Sequence, residues 1–273
     1  MNIKQKIQNG EKSFSLQAGH DINYGLSYDE VKQIFYDLFD KNFPKLVGKA
    51  KEEIDSRINL LWQQLLKDLQ KNQNEIELNN FSNPNIQYEL SQISKDSARF
   101  GNIDNYSILS KIFISQLKKD SQSVNEQIIS ECLDIVPKLS KKQLYILIIH
   151  KIYDCCINTK YNLQEFDKKL FDYNEYISYL LKSKDNYNVS LDLFYLKLVN
   201  CLNDAPPTLE TIYYILKKEL KINTLENNKE LYELLEEKKL YNIIKLIELT
   251  KKYTLISHKL TRIGETLVTY ILY

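Results

Sequence analysis

Residues 138–154 read KLSKKQLYILIIHKIYD, and the fold turns on how this stretch is understood. Ser140 is placed to cap a helix, with its hydroxyl free to accept from an amide of the first turn. From Leu144 onward, Tyr145, Ile146, Leu147, Ile148, Ile149 and Ile152 lie nearly all the way round such a helix. A helix with no polar stripe belongs in the middle of a core or in a membrane. The run LYILIIHKIY is about half the length of a membrane span. Residues 140–153 are therefore expected to form the central helix of a folded helical body.

Helical signals continue on both sides. Helices are predicted at 104–119 and 123–136, then at 163–182, 189–203 and 208–221, the last preceded by the rigid turn DAPPTLE. Upstream, Pro44 restarts the chain and a long helix runs to about residue 75. Its Ile54, Ile58, Leu61, Leu65 and Leu69 make a nearly heptad seam with charged flanks, the pattern of a bundle or coiled coil. Asn79 to Asn85 is a break, and Pro84 suits a first helical turn. Ile86, Leu90 and Ile93 form the next stripe, which Gly101 ends at a C′ position.

The ends read differently. Residues 13–30, SFSLQAGHDINYGLSYDE, begin as a strand: Phe14, Leu16 and Ala18 face one way, and Ile22 and Tyr24 resume the alternation after Gly19. Ser27 to Glu30 is a capping box, and Val31, Ile34, Phe35, Leu38 and Phe39 then make one helical stripe. So short a β arm has no evident sheet to join, and an isolated hairpin is marginal in water. Pairing between copies would satisfy its backbone, so Phe14, Leu16, Gly19, Ile22 and Tyr24 are expected to mediate homo-oligomerisation. The seam at Ile54, Ile58, Leu61 and Leu65 is expected to reinforce it. At the other end two readings compete for residues 229–260. One is helix–strand–turn–strand–helix with the turn at Lys251-Lys252, a winged-helix-like unit. The other is a continuous helix from 229 to 256. A final helix capped by Thr261 follows in both.

Composition limits the function. The 273 residues carry a net charge of +1, so no global field recruits nucleic acid or anionic membrane. Arg57, Arg99 and Arg262 are the only arginines, which counts against sequence-specific DNA reading. The N-terminus lacks the apolar core of a signal peptide, and the four cysteines show no CxxC spacing. A cytoplasmic protein with reduced thiols is expected.

Six glycines form neither GxGxxG nor a P-loop, so no nucleotide cradle is expected. The arginine–histidine signature of helical HEPN ribonucleases is also absent. His150 and Asp154 share a helix face at i, i+4, with Cys155 and Cys156 adjacent, but no second ligand pair accompanies them. A buried structural histidine is the expectation. His20 fits a turn and His258 the proposed wing. Glu52-Glu53 and Glu236-Glu237 read as solvated faces, and Tyr176, Tyr179, Tyr213 and Tyr214 as packing groups. No catalytic residue, metal site or cofactor is expected.

QAGHDIN (Gln17–Asn23), GLSYDEV (Gly25–Val31), FSNPNIQYEL and the ending LTRIGETL (Leu260–Leu267) together resemble a bacterial family called LPO_1073/Vpar_1526. His20 stands where that family usually has arginine. Similar QAGxDIN segments resemble the N-terminal ends of bacterial immunity-type proteins, which implies an anti-phage context. The LTRIG ending is also similar to the LTxxG of winged-helix regulators. The resemblance brings no catalytic residues.

These readings give a mainly α protein: a multi-helix bundle with an N-terminal β arm (1–25), a helical region with the long helix (26–120), and a second (121–273) ending in a winged-helix-like unit. The expected function is a non-enzymatic, self-assembling interaction protein in bacterial defence, with itself and another defence protein as partners and no membrane. The alternatives are a nucleic-acid-binding regulator using Lys251, Lys252, Lys259 and Arg262, and an abortive-infection toxin.

Overall fold

A computed structural model describes residues 33–34, 36–37, 48–118, 126–158, 162–182, 187–205, 216, 228–253 and 258–273. The β arm at 13–25, the capping box at Ser27 and, apart from Leu216, the helix expected at 208–221 lie outside the described residues.

The described chain is mainly α-helical, with one two-stranded ribbon. The first half holds α1 (Gly48–Lys71), α2 (Pro84–Phe100), α3 (Tyr106–Leu117) and α4 (Glu126–Ile135). A 3-10 turn at Leu78–Ser82 fills the expected break before Pro84, and the Asn83 side chain accepts from the Asn85 amide at 2.9 Å to start α2. The α1 seam turns inward: Ile58, Leu61 and Leu65 are buried and Ile54 is half-buried, packed among α2 and α3. Of the residues expected at an interface between copies, Ile58, Leu61 and Leu65 thus sit in the chain's own core and Ile54 packs at its edge.

Polar clamps hold these helices in place. Arg57 on α1 donates to the carbonyls of Ala98 (2.7 Å) and Arg99 (3.3 Å), completing the C-terminus of α2. It also pairs with Glu53. Gly101 follows in the left-handed conformation (φ 66°), and a Cβ there would collide with the Arg57 guanidinium. Asn102 and Asn105 donate to the carbonyls of Pro137, Val136 and Leu139, fixing the turn that leads into the central helix.

That helix, α5 (Lys141–Asn158), begins with a reciprocal cap. Gln143 N–H donates to Ser140 Oγ at 3.2 Å while Ser140 N–H donates to Gln143 Oε1 at 2.9 Å. Leu144 to Ile149 and Ile152 are all buried, as their pattern requires. Beyond it come α6 (Leu163–Phe171), α7 (Asn174–Lys182), α8 (Tyr187–Leu198), β1 (Leu202–Asp204), α9 (Asn228–Glu237), α10 (Tyr241–Tyr253), β2 (His258–Leu260) and α11 (Arg262–Leu272).

Three expectations change here. The helix expected at 163–182 is two helices, parted at Asp172–Tyr173. The helix expected to reach 203 stops at Leu198, because Asn200 turns the chain with φ 56° and Leu202 opens a strand. The tail is neither a wing nor one helix. Lys239 (φ 58°) separates α9 from α10, and Lys251-Lys252 sit in the last turn of α10. The strand that follows pairs antiparallel with distant β1, Leu202 opposite Leu260 and Asp204 opposite His258. A hairpin turn at Lys251-Lys252 is thereby excluded.

Asp167 on α6 accepts the Asn242 and Ile243 amides at 2.9 Å each, capping α10 from a neighbouring helix. The last helix ties the halves together, since α11 packs on α3, α4 and α5 within one continuous core. Tyr270 Oη donates to Ser115 Oγ at 2.7 Å across that contact. Among the described residues no helix is long and apolar enough to cross a membrane.

Candidate functional site at the strand ribbon

The ribbon gathers residues that lie far apart in the sequence. Asn200 reverses the chain after α8, and its carbonyl accepts from Thr261 Oγ1 at 2.6 Å. Thr261 N–H donates to the Cys201 carbonyl at 3.1 Å. The same Thr261 hydroxyl accepts from the Gly264 amide at 3.1 Å, capping α11. Gly264 lies so close to Cys201 that a Cβ would overlap the Cys201 carbonyl oxygen. LTRIG therefore works as a joint: Leu260 pairs in the ribbon, Thr261 bonds both the turn and the helix, and Gly264 lets them touch.

His258 on β2 faces His150 on α5, with ring centroids 6.2 Å apart and planes at 75°. On its other side His258 Nε2 is 3.6 Å from Asp204 Oδ1. Lys197 from α8 donates to both Asp204 oxygens, at 2.6 and 2.7 Å. Burial pushes the His150 imidazole down to about 3; the neighbouring His258 adds to this, and a hydrogen bond with the His258 backbone opposes it. His258 is also lowered, first by burial, while Asp204 pulls it upward. Both rings are neutral at ordinary pH. His258 Nδ1 is buried without a hydrogen-bond partner among the described residues.

The nearby thiols are closed as nucleophiles. Burial raises Cys132 and Cys201 to about 12 each, where almost no thiolate exists at neutral pH. Cys132 instead directs its S–H to the Ile263 carbonyl at 3.9 Å. Among the described residues no group of three His, Cys, Asp or Glu side chains is placed to hold a metal ion. Hydrogen bonds, an ion pair and packing join α5, α8, β1, β2 and α11 at the ribbon.

Of the sequence-derived site residues, Lys259 lies on β2 and Arg262 begins α11, and the others fall elsewhere. Phe14, Leu16, Gly19, Ile22 and Tyr24 lie outside the described residues, as do His20, Tyr213, Tyr214 and the side chains of Asp154, Cys155 and Cys156. Lys251 sits over the Tyr232 ring at 4.9 Å, and Lys252 donates to the Leu181 carbonyl at 2.7 Å, closing the end of α7. Arg262 reaches Glu265 at 3.5 Å, and Lys259 is exposed on β2. Tyr176 and Tyr179 both pack edge-on against Tyr145, at 4.8 and 5.0 Å. Glu236 and Glu237 are exposed. A separate hollow of about 270 Å³, lined by Gly101–Asn105 and Lys141, opens near the N-terminus of α5.

The meeting of His258 with His150 and Asp204 went unread in the sequence, because a contact across so long a separation leaves no local trace. Gly264 did leave one, as a rare glycine just after a capping threonine.

A family model matches residues 25–266, and it agrees with the family suggested by the GLSYDEV and LTRIGETL blocks. No curated protein and no solved structure matches the chain.

Proposed function

The chain belongs to the LPO_1073/Vpar_1526 family, and from that premise we propose that it is a non-enzymatic, self-assembling interaction protein of bacterial anti-phage defence. One observation carries the non-enzymatic part. Burial holds the His150 imidazole at the ribbon down to about 3 and the nearby thiols of Cys132 and Cys201 up to about 12. A general base is most useful near the working pH, and these groups instead stay neutral and join elements together.

Self-assembly rests on the arm at 13–25. Its alternating residues need backbone partners, and each strand of the described ribbon is only three residues long, shorter than the arm. A second copy of the arm would supply the missing edge. The defence setting rests on the likeness of QAGHDIN to the ends of immunity-type proteins; the partners are further copies and a second defence protein, and the setting is the cytoplasm.

Deleting residues 1–25 tests both parts. Light scattering should give a smaller mass for the truncated chain with unchanged helical circular dichroism, and cells carrying it should lose protection in a phage plating assay. Equal masses would remove the arm from assembly, and equal plating with and without the intact gene would remove the defence role.

A further inference from the structure

The ribbon is a short joint over an ionisable pair. β1 and β2 pair at three positions, Leu202 with Leu260, Asn203 with Lys259 and Asp204 with His258. The bond from Thr261 N–H to the Cys201 carbonyl continues the pairing toward α11. Elements held by so few bonds open locally at a smaller cost than the whole fold.

β2 packs on α5, where His150 lies buried with its ring against that of His258. His258 Nδ1 is also buried, with no hydrogen-bond partner among the described residues. A protonated ring donates from both nitrogens, so His258 has no acceptor ready for the second donor, and two imidazolium rings would repel. The surrounding charges change this little. Asp204 from β1 approaches His258 Nε2 at 3.6 Å and favours a proton there. Lys197 from α8 already binds both Asp204 oxygens and opposes that proton. On α11, Arg262 and Glu265 reach each other at 3.5 Å.

We propose that the ribbon is an acid-released latch: His150 and His258 take up protons in a locally opened form, in which β2 has left α5 and β1 while α1 to α4 stay packed. Both rings reach water when the latch opens, and histidine in water titrates near 6.5. The closed form shuts the proton out of His150 and disfavours it at His258. Each histidine so excluded raises the open population about tenfold between pH 7.5 and 5.5, and two raise it about a hundredfold. Asp204 reduces the share of His258 by holding some charge in the closed form. Opening brings the buried Cys201, Leu202 and Leu260 to the surface, so acidification changes what this end of the core presents.

Native-state hydrogen exchange of the full chain tests this, at pH 7.5 and 5.5 and in low concentrations of urea, with rates corrected for the intrinsic pH dependence. Urea separates the two kinds of opening, because only global unfolding exposes much surface. At pH 5.5 the protected amides of residues 200–204 and 258–264 should open more often than those of α3, with little response to urea. Their opening should exceed that at pH 7.5 by about tenfold to a hundredfold. His258→Gln should respond less steeply than the parent, and His150→Gln combined with His258→Gln should be nearly flat. Ribbon amides that match α3 in opening and in urea response overturn the latch, since the ribbon then opens only with the whole fold. An opening that does not change with pH overturns it as well. So does a full parental response in His258→Gln, a result that stands even where the double variant fails to fold.

Discussion

α5 and α8 both lack a polar stripe wide enough to mark an outside, yet they end in different places. From Leu144 to Ile152 the apolar side chains of α5 are buried on every side, since α7, α8, α11 and β2 surround it. α8 rests on α5 and β1 and leaves one row of large apolar groups uncovered. Apolar content sets how much surface a helix must hide. The supply of neighbouring elements decides how much it does hide, and the remainder stays exposed.

The largest effect is expected inside α5. Leu147→Asp or Ile148→Asp places an unpaired carboxylate where both side chains are fully buried, at a cost of several kcal/mol, about 4 or more. Thermal melts should show either variant unfolded or strongly destabilised. If both melted like the parent, α5 would be no more enclosed than α8 and the contrast would disappear.

Next in size is Gly264→Ala, which tests the cover over α5. The added Cβ must force α11 away from the Cys201 carbonyl, at about 1–3 kcal/mol. Urea titration should give a lower midpoint. An unchanged midpoint would mean that α11 can shift without loosening its hold on α5.

A smaller, pH-dependent effect comes from the polar group that α5 buries. In the unfolded chain a histidine titrates near 6.5, while folding holds His150 down at about 3. Between those values the unfolded state binds more protons, so stability is full above pH 6.5 and declines as pH falls. The slope from this residue is at most about 1.4 kcal/mol per pH unit. His258, lowered in the same direction, adds to it. Melting temperatures at pH 7.5 and 5.5 should differ more in the parent than in His150→Gln. Equal differences would show that His150 titrates normally and that the α5 interior admits charge.

Much of the α5 side of this comparison was legible in the sequence. Ser140, Pro84, Gly101 and Thr261 act within one helical turn of themselves, so their caps and stops could be placed from residue type alone. The inward turn of the Ile54–Leu65 seam was not legible, because a heptad stripe fits a helix of the same chain as well as one from another. The strand at Leu202–Asp204 was hidden for a related reason. Its local pattern continues a helix, and only the left-handed Asn200 and the distant partner Leu260 override it. Lys239 broke the tail helix without a glycine to announce it. The histidine pair was the least legible feature, since neither ring carries a mark of the other.

The position of α11 sets an order for the birth of the fold. Synthesis delivers α3 and α4 first, yet the surfaces they offer to α11 wait for a helix that ends at Leu272. At roughly 5–20 residues per second, that wait is on the order of 10 s after α4 emerges. Ribbon pairing is delayed in the same way, because Leu202 meets Leu260 only after closure of the long loop between them. A nascent chain thus carries α1 to α4 through a period in which the flank that α11 will cover is still open. The clamps of Arg57, Asn102 and Asn105, whose partners all lie before residue 140, can already hold those helices in register during that interval.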